Sequence, residues 1–248
     1  MTENFNLYSK YYDLLYRNKN YIEEVNYIST CIQTYAPETT TILEFGSGTG
    51  GHGLHLQEKG FDIYGLERSH DMVEKARLAG FNCEQGDITS FSLDKTFDAV
   101  ISLFHVISYL TTNDELISTF KNAERHLKAG GVFIFDVWYT PAVYSLKPET
   151  RVKRVSNDQI EVTRIAEPVI HTSANVVDVN YSIFVKDLSD ESYSELSEKH
   201  PMRHFSIPEV DLLAKLTGFE ILKAEEFLSG NAPSGATWGV NFILKKNG

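Results

Sequence analysis

The sequence predicts an α/β protein: a parallel sheet with helices on both faces and an antiparallel sheet inserted late in the chain. Three observations carry this. Strand-length apolar segments and helical segments alternate five times between Thr41 and Val137. A glycine cluster, Gly46-Ser47-Gly48-Thr49-Gly50-Gly51, sits at the first strand-to-helix junction. Over roughly residues 150–205 the pattern switches to alternation of period two, which marks strands with one wet face.

The elements follow in order. Residues 7–35 read as one or two helices, because Leu7, Tyr11, Leu14 and Leu15, then Ile22, Val25, Ile28 and Ile32, recur at helical spacing. Pro37 and the run Thr39-Thr40-Thr41 end this region. A strand from Thr41 to Phe45 enters the glycine cluster, and a helix carrying Leu54 and Leu56 stops near Gly60. Phe61 to Glu67 is a second strand ending on an acid. Ser69 or Asp71 caps a helix through Ala79, closed by Gly80. Asn82 to Gln85 is a weak strand before the turn Gly86-Asp87. Phe97 to Phe104 is a nearly continuous apolar run, as expected of a strand covered on both faces. Asn113 or Asp114 opens a helix that ends at Ala129-Gly130-Gly131, and Val132 to Val137 is another buried strand. Such alternation of strand and helix specifies a parallel sheet.

Beyond Trp138, Ile160–Ile165 and Val177–Val185 alternate around the polar turn 171–175, and a third extended stretch runs from about Ser192 to Phe205. The chain then returns to the core with a helix from near Pro208 to before Gly218 and strands Phe219–Phe227 and Thr237–Lys245.

Composition narrows the function classes. With 248 residues, 42% hydrophobic and 23% charged, the chain can bury a full core. A formal net charge of −11, from 23 basic and 34 acidic residues, works against wrapping a nucleic-acid backbone. The short basic run Arg151-Val152-Lys153-Arg154 reads as a solvated strand beside a sheet. Cys31 and Cys83 lie far apart with no ligand spacing around them, so a disulfide framework or structural zinc is not expected; both read as small buried hydrophobes. The start, MTENFNLYSKYYD, has no secretory pattern, and no apolar stretch approaches the ~20 residues needed to span a bilayer. The expected location is the cytoplasm, without a membrane partner.

The chemistry gathers at the glycine cluster. Glycine suits a sharp strand-to-helix turn where a ligand approaches the main chain. Glu67 lies 21 residues after Gly46 at the end of the second strand, where an acid can accept hydrogen bonds from both hydroxyls of a ribose. Gly46, Gly48 and Gly51 also satisfy G-x-G-x-x-G, so on this motif a dinucleotide-dependent oxidoreductase fits as well.

Further residues carry a resemblance. Leu43-Glu44-Phe45-Gly46-Ser47-Gly48-Thr49-Gly50 resembles the first signature of class I S-adenosylmethionine-dependent methyltransferases, an acid two residues before G-x-G-x-G. Gly86-Asp87-Ile88 resembles their third-strand signature, whose Asp meets the adenine amino group. Leu127-Lys128-Ala129-Gly130-Gly131 resembles their L-K-P-G-G, with Ala129 in place of the usual proline. The last two strands around a single helix fit the antiparallel hairpin that closes the sheet in this family. The resemblance implies a Rossmann-like seven-stranded fold with S-adenosylmethionine held by Tyr12, Gly46, Ser47, Gly48, Gly50, Glu67, Arg68, Asp87, Ile88 and Leu103. It also implies a single domain over 1–248. Within it, 1–36 form a helical cap, 37–140 and 207–248 the cofactor-binding core, and 141–206 an inserted sheet that binds the acceptor.

A narrower resemblance concerns that acceptor. Tyr8, Tyr12, Asp13 and Tyr16 as Y-x-x-x-Y-D-x-x-Y, the stretch Ser102 to Leu110, and Phe135-Asp136-Val137-Trp138-Tyr139 look like bacterial enzymes that methylate amino sugars attached to nucleotides. This implies methyl transfer to nitrogen or oxygen of a small polar acceptor, a sugar or nucleotide-linked sugar, with another small metabolite or a phosphate-linked group as alternatives. Tyr8, Trp138, Tyr139, His171 and His204 are the candidate acceptor contacts.

A sulfonium methyl is already activated, so positioning and exclusion of water do most of the work. A sugar hydroxyl would need a base, whereas a neutral amine can lose its proton to water. His105, just past the fourth strand, is the candidate base, since an imidazole can accept a proton near neutral pH. Tyr109, His204 and His171 compete for that role. No metal is needed; His52 and His55, flanking the first turn after the glycine loop, read as helix-surface residues.

Overall fold

The computed structural model describes Leu14, Leu15, Arg17 and residues 19–248. The described residues divide into two compact units: Tyr21–Leu146 with Arg203–Gly248, and Lys147–Met202 with the described residues before Tyr21.

The larger unit opens with α1 (Tyr21–Tyr35). It continues through β1 (Thr41–Phe45), α2 (Gly51–Glu58), β2 (Asp62–Glu67), α3 (His70–Leu78), β3 (Cys83–Gln85) and β4 (Phe97–Ser102). A short 3-10 turn (Val106–Tyr109) leads to α4 (Asn113–His126), β5 (Leu127–Tyr139) and α5 (Thr140–Leu146). After the smaller unit come α6 (Ile207–Leu216), β10 (Phe219–Glu226) and β11 (Gly239–Lys246). Seven strands pair in the order β3-β2-β1-β4-β5-β11-β10. The first five are parallel, while β11 runs antiparallel to both β5 and β10. That reversed hairpin is the feature expected of the methyltransferase sheet.

Registers Ile42↔Ile63, Ile42↔Ala99 and Ile101↔Ile134 place like faces together. Alternate residues then sort into two cores. One face buries Leu43, Phe45, Val100, Phe133, Phe135 and Phe242 with Phe120 of α4 and Phe219. The other buries Ile42, Ile63, Ile101, Ile134 and Ile243 with Val25, Ile28 and Ile32 of α1. Burial on both faces is why these strands read as unbroken apolar runs.

Helix starts follow side-chain caps. Ser69 accepts from Met72 N, and Ser206 accepts from Glu209 N. Thr112, one residue ahead of the expected start of α4, forms a reciprocal capping box with Glu115. α4 stops at His126, short of the expected Gly131. Strand pairing starts at Leu127, slips register between Phe97 and Ala99, and then continues from Val132. α5 had no counterpart in the sequence reading.

In the smaller unit, β6 (Arg151–Ser156), β7 (Ile160–His171) and β8 (Val176–Asp187) pair antiparallel, and β9 (Tyr193–Phe205) neighbours β8. One face packs Ile160, Val162, Ile183 and Val185 against Leu14 and Leu15. The last three residues of β9 belong to the larger unit, where His204 and Phe205 pair with Trp138 and Tyr139.

Candidate active site

The carboxyl edge of the parallel strands gathers those predicted cofactor residues that the structure describes. Gly46 and Gly48 both take left-handed backbone angles, φ 70° and 56°, which L side chains adopt only with strain. At Gly46 a Cβ would also lie 2.6 Å from a Val106 methyl, whereas at Gly48 nothing lies within 4 Å. The loop is thus closed against the protein at Gly46 and open at Gly48. Glu67 ties this loop to its own strand. One carboxylate oxygen accepts from Gly48 N–H at 3.0 Å and the other from Ser69 N–H at 2.8 Å. Each oxygen keeps a lone pair for another donor. Asp87 Oδ1 accepts from the backbone N–H and hydroxyl of Thr89, at 2.8 and 2.7 Å. Burial pushes the Asp87 carboxyl up, but the Thr89 donors and the charge of Arg68 outweigh it and hold it below its ordinary value. Leu103 is buried at the end of β4, and the carbonyl of buried Ile88 accepts from Asn122 Nδ2 at 2.7 Å.

Other residues of the loop have roles in the fold itself. Ser47 is buried with its hydroxyl 3.3 Å from Cys83 Sγ and its N–H donated to Leu66 O, so it serves the fold of the loop. Gly50 is needed because a Cβ there would lie 2.8 Å from the Phe81 ring. Arg68 is exposed and its carbonyl accepts from Gln85 Nε2.

His52 departs from the surface reading. It is buried, with Nε2 2.6 Å from Glu24 Oε2, Nδ1 3.7 Å from Glu44 Oε1, and the Tyr21 ring edge-on at 4.9 Å. Helix α1 covers the first turn of α2, a tertiary contact that local spacing does not reveal. His55 is partly exposed and pairs with Glu58 at 2.9 Å.

On the acceptor side, His105 lies two residues past Leu103 and is one-quarter exposed. Its Nδ1 lies 2.7 Å from Asp136 Oδ2 of β5, a carboxylate only 1% exposed. The approach is short, although the ring N–H is not aligned on the carboxylate oxygen. Asp136 also accepts from Phe104 N–H at 2.7 Å and His105 N–H at 3.2 Å. Burial pushes this carboxyl up, but the His105 ring and the two backbone donors more than offset it and hold it low. Phe104 stacks on the imidazole, and Trp138 meets it edge-on at 6.2 Å. Trp238, which sequence reasoning did not single out, meets Trp138 edge-on at 6.2 Å. Asp136 was missed as well, although an acid inside the apolar run Val132–Val137 is a usable signal: a buried charge requires partners.

The remaining predicted residues divide. Tyr109 is exposed on the 3-10 turn, four residues past His105. Tyr139 donates its N–H to Trp238 O and packs on the phenylalanine-rich core. His204 is fully buried and its Nδ1 lies 2.9 Å from Thr140 Oγ1. Burial, then the charge of Arg203, pushes its pKa down to about 4. Its full burial favours a packing role over the expected one as acceptor contact or base. His171 lies at the end of β7 in the smaller unit, its Nε2 2.7 Å from Asp178, which also pairs with Lys199. Tyr8 and Tyr12 lie outside the described residues. Among the described residues no helix is long and apolar enough to cross a membrane.

Comparison with known proteins accords with this geometry. Residues 42–131 match a methyltransferase domain family. A dTDP-3-amino-3,4,6-trideoxy-alpha-D-glucopyranose N,N-dimethyltransferase of Streptomyces venezuelae is 32% identical over 176 residues, covering 69% of this chain and 74% of that protein. The crystal structure of Streptomyces venezuelae DesVI superimposes with TM-score 0.81 at 27% identity, covering 97% of this chain and 98% of the other. S-adenosylmethionine-bound CalS10 of Micromonospora echinaspora, an amino pentose methyltransferase involved in calicheamicin biosynthesis, matches with TM-score 0.77 at 25% identity over 97% of both chains. The chain belongs to the class I S-adenosylmethionine-dependent methyltransferases. It is an enzyme, and its cofactor is S-adenosylmethionine. The open main chain at Gly48 and the oriented carboxylates of Glu67 and Asp87 fit that cofactor.

Proposed function

We propose that this enzyme methylates a nucleotide-linked sugar, at an amino group, with His105 as the proton acceptor. The observation that carries the reading is a partly exposed imidazole backed by a buried carboxylate, in a chain similar over most of its length to an amino-sugar N,N-dimethyltransferase.

Glu67, Asp87 and the glycine loop would hold the cofactor, with Leu103 closing the strand edge beside them. Bound there, S-adenosylmethionine supplies a methyl group on a positively charged sulfur. The protein's own part is then to place the acceptor and dispose of one proton. Asp136 takes up Nδ1 of His105, which leaves Nε2 as the ring nitrogen that accepts the acceptor's proton. Phe104 and Trp138 set apolar surface against the imidazole, with Trp238 packed on Trp138, and limit water near it. A base of this kind is worth roughly 10²–10⁴ in rate.

Residues 147–202 carry acceptor recognition in this reading. They lie outside the segment matched by the methyltransferase domain family, which stops at residue 131. The acceptor is a dissolved small molecule in the cytoplasm rather than a nucleic acid; the charge of −11 supports this, as do two buried cysteines kept as thiols.

The test is methyl transfer from labelled S-adenosylmethionine to a panel of dTDP-amino sugars, the matching dTDP-hydroxy sugars and free amines, followed by mass spectrometry. Methylated dTDP-amino sugar is expected. Turnover confined to free amines would overturn the nucleotide-sugar reading, and O-methylated products alone would overturn the choice of nitrogen. His105→Asn should lower turnover by about 10²–10⁴ with cofactor affinity unchanged; a loss below about tenfold removes His105 as the base.

A further inference from the structure

We propose that Asp136 is a positioning residue for the reaction, fixing both the backbone turn that presents His105 and the tautomer of its ring. This rests on the assignment of His105 above.

Phe104 and His105 are consecutive non-glycine residues in left-handed conformation, φ 65° and 63°. Each such residue is strained and persists only where its surroundings over-determine it. Here one carboxylate does so. Asp136 Oδ1 takes the Phe104 N–H at 2.7 Å, and Oδ2 takes the His105 N–H at 3.2 Å and faces His105 Nδ1 at 2.7 Å. Both hydrogen bonds and the close ring contact come from the two strained residues. The carboxylate itself projects from β5 on the face that holds Ile134 and, across the strand pair, Asn241. It has no solvent to stabilise its charge, so that charge depends on the two backbone donors and the ring beside it. The dependence is mutual: the turn exists because the carboxylate is there, and the carboxylate stays ionised because the turn is there.

The ring follows from the same arrangement. A carboxylate only accepts hydrogen bonds, so Nδ1 must carry a proton when it faces Asp136. Nε2 is then the acceptor nitrogen, and Asp136 sets which atom meets the substrate. An acid that orients a base through its far nitrogen acts on turnover without touching substrate or cofactor.

Two measurements test this on the intact enzyme. Nitrogen NMR of histidine-labelled protein at neutral pH should show His105 protonated at Nδ1 in its neutral form. Kinetics of Asp136→Asn, His105→Asn and the double variant should show Asp136→Asn lowering kcat about 10- to 100-fold. Its acceptor KM and cofactor affinity should stay within about threefold, and the double variant should be no worse than His105→Asn alone. If Asp136→Asn does not fold, the tautomer still decides. A ring protonated at Nε2, or losses that multiply in the double variant, overturns the assignment of Asp136. A His105→Asn enzyme that keeps its turnover overturns instead the reading of His105 as base.

Discussion

Replacing Glu67 by Ala separates two ways in which one carboxylate can support the cofactor. Its oxygens accept from Gly48 and Ser69, so it is oriented before any ligand arrives and loses little freedom on binding. A charge-assisted contact to the ribose is worth about 1.5–3 kcal/mol, or roughly 10- to 150-fold in affinity. Loss of the Gly48 anchor loosens the loop as well, which places the expected effect toward the upper end. Isothermal titration with S-adenosylhomocysteine measures the total. Repeating it with an analogue lacking both ribose hydroxyls divides that total, because the direct contact disappears in the wild type too while the loop effect does not. The wild type should lose at least tenfold on removing the hydroxyls, and Glu67→Ala should be nearly indifferent to them. Wild-type affinity in Glu67→Ala, or equal sensitivity of both proteins to the hydroxyls, would refute the assignment of Glu67 to the ribose.

Other outcomes follow from the fold. His204 has its pKa pushed down to about 4 from 6.5 by burial and then by Arg203. The unfolded chain therefore binds the extra proton first as pH falls, and stability present above pH 6.5 is lost progressively down to about pH 4. Urea melts should show about 2 kcal/mol lost from this group between pH 7 and pH 5, and His204→Gln should lack that component; identical pH dependence in both proteins would rule the burial argument out. Phe120 is 1% exposed and meets Phe133 and Phe135 edge-on at 5.3 Å each, so Phe120→Ala should cost about 3–5 kcal/mol by denaturant unfolding; a loss under 1 kcal/mol would mean the site collapses. Exchanging residues 147–202 for those of the Streptomyces venezuelae relative should change acceptor preference while S-adenosylhomocysteine binds within about threefold; an unchanged acceptor profile would place recognition elsewhere.

The parallel sheet was legible because burial on both faces writes itself as apolar runs, and its turns because glycine and caps mark them. Glu67 and Asp87 were legible for a related reason: they stand at strand ends, where position along the chain fixes position in space. The features that escaped depend on contacts between distant segments. His52 is buried because α1 lies over it, and nothing within four residues of it records that. Asp136 is 31 residues from the His105 nitrogen it accepts from. The strain at Phe104 and His105 cannot be read from either residue type, since both would ordinarily avoid that conformation. His204 looked like a reachable imidazole because its strand alternates, yet it lies in the part of β9 that joins the core sheet, where both faces are covered.

The meeting of Val106 with Gly46 constrains how this enzyme could be redirected to new acceptors. Val106 methyls fill the space a side chain would take at Gly46, and Val106 is bonded directly to His105. Enlarging or polarising Val106 to reshape the acceptor side would press on the glycine loop and degrade cofactor affinity in the same step. Trp138 and Trp238 carry no such linkage: they are half-buried and meet each other, and Trp138 meets the imidazole. A combinatorial library for altered acceptor scope therefore belongs at the two tryptophans, with Val106 left as found, and hits that change acceptor choice there should retain the parent's cofactor saturation curve.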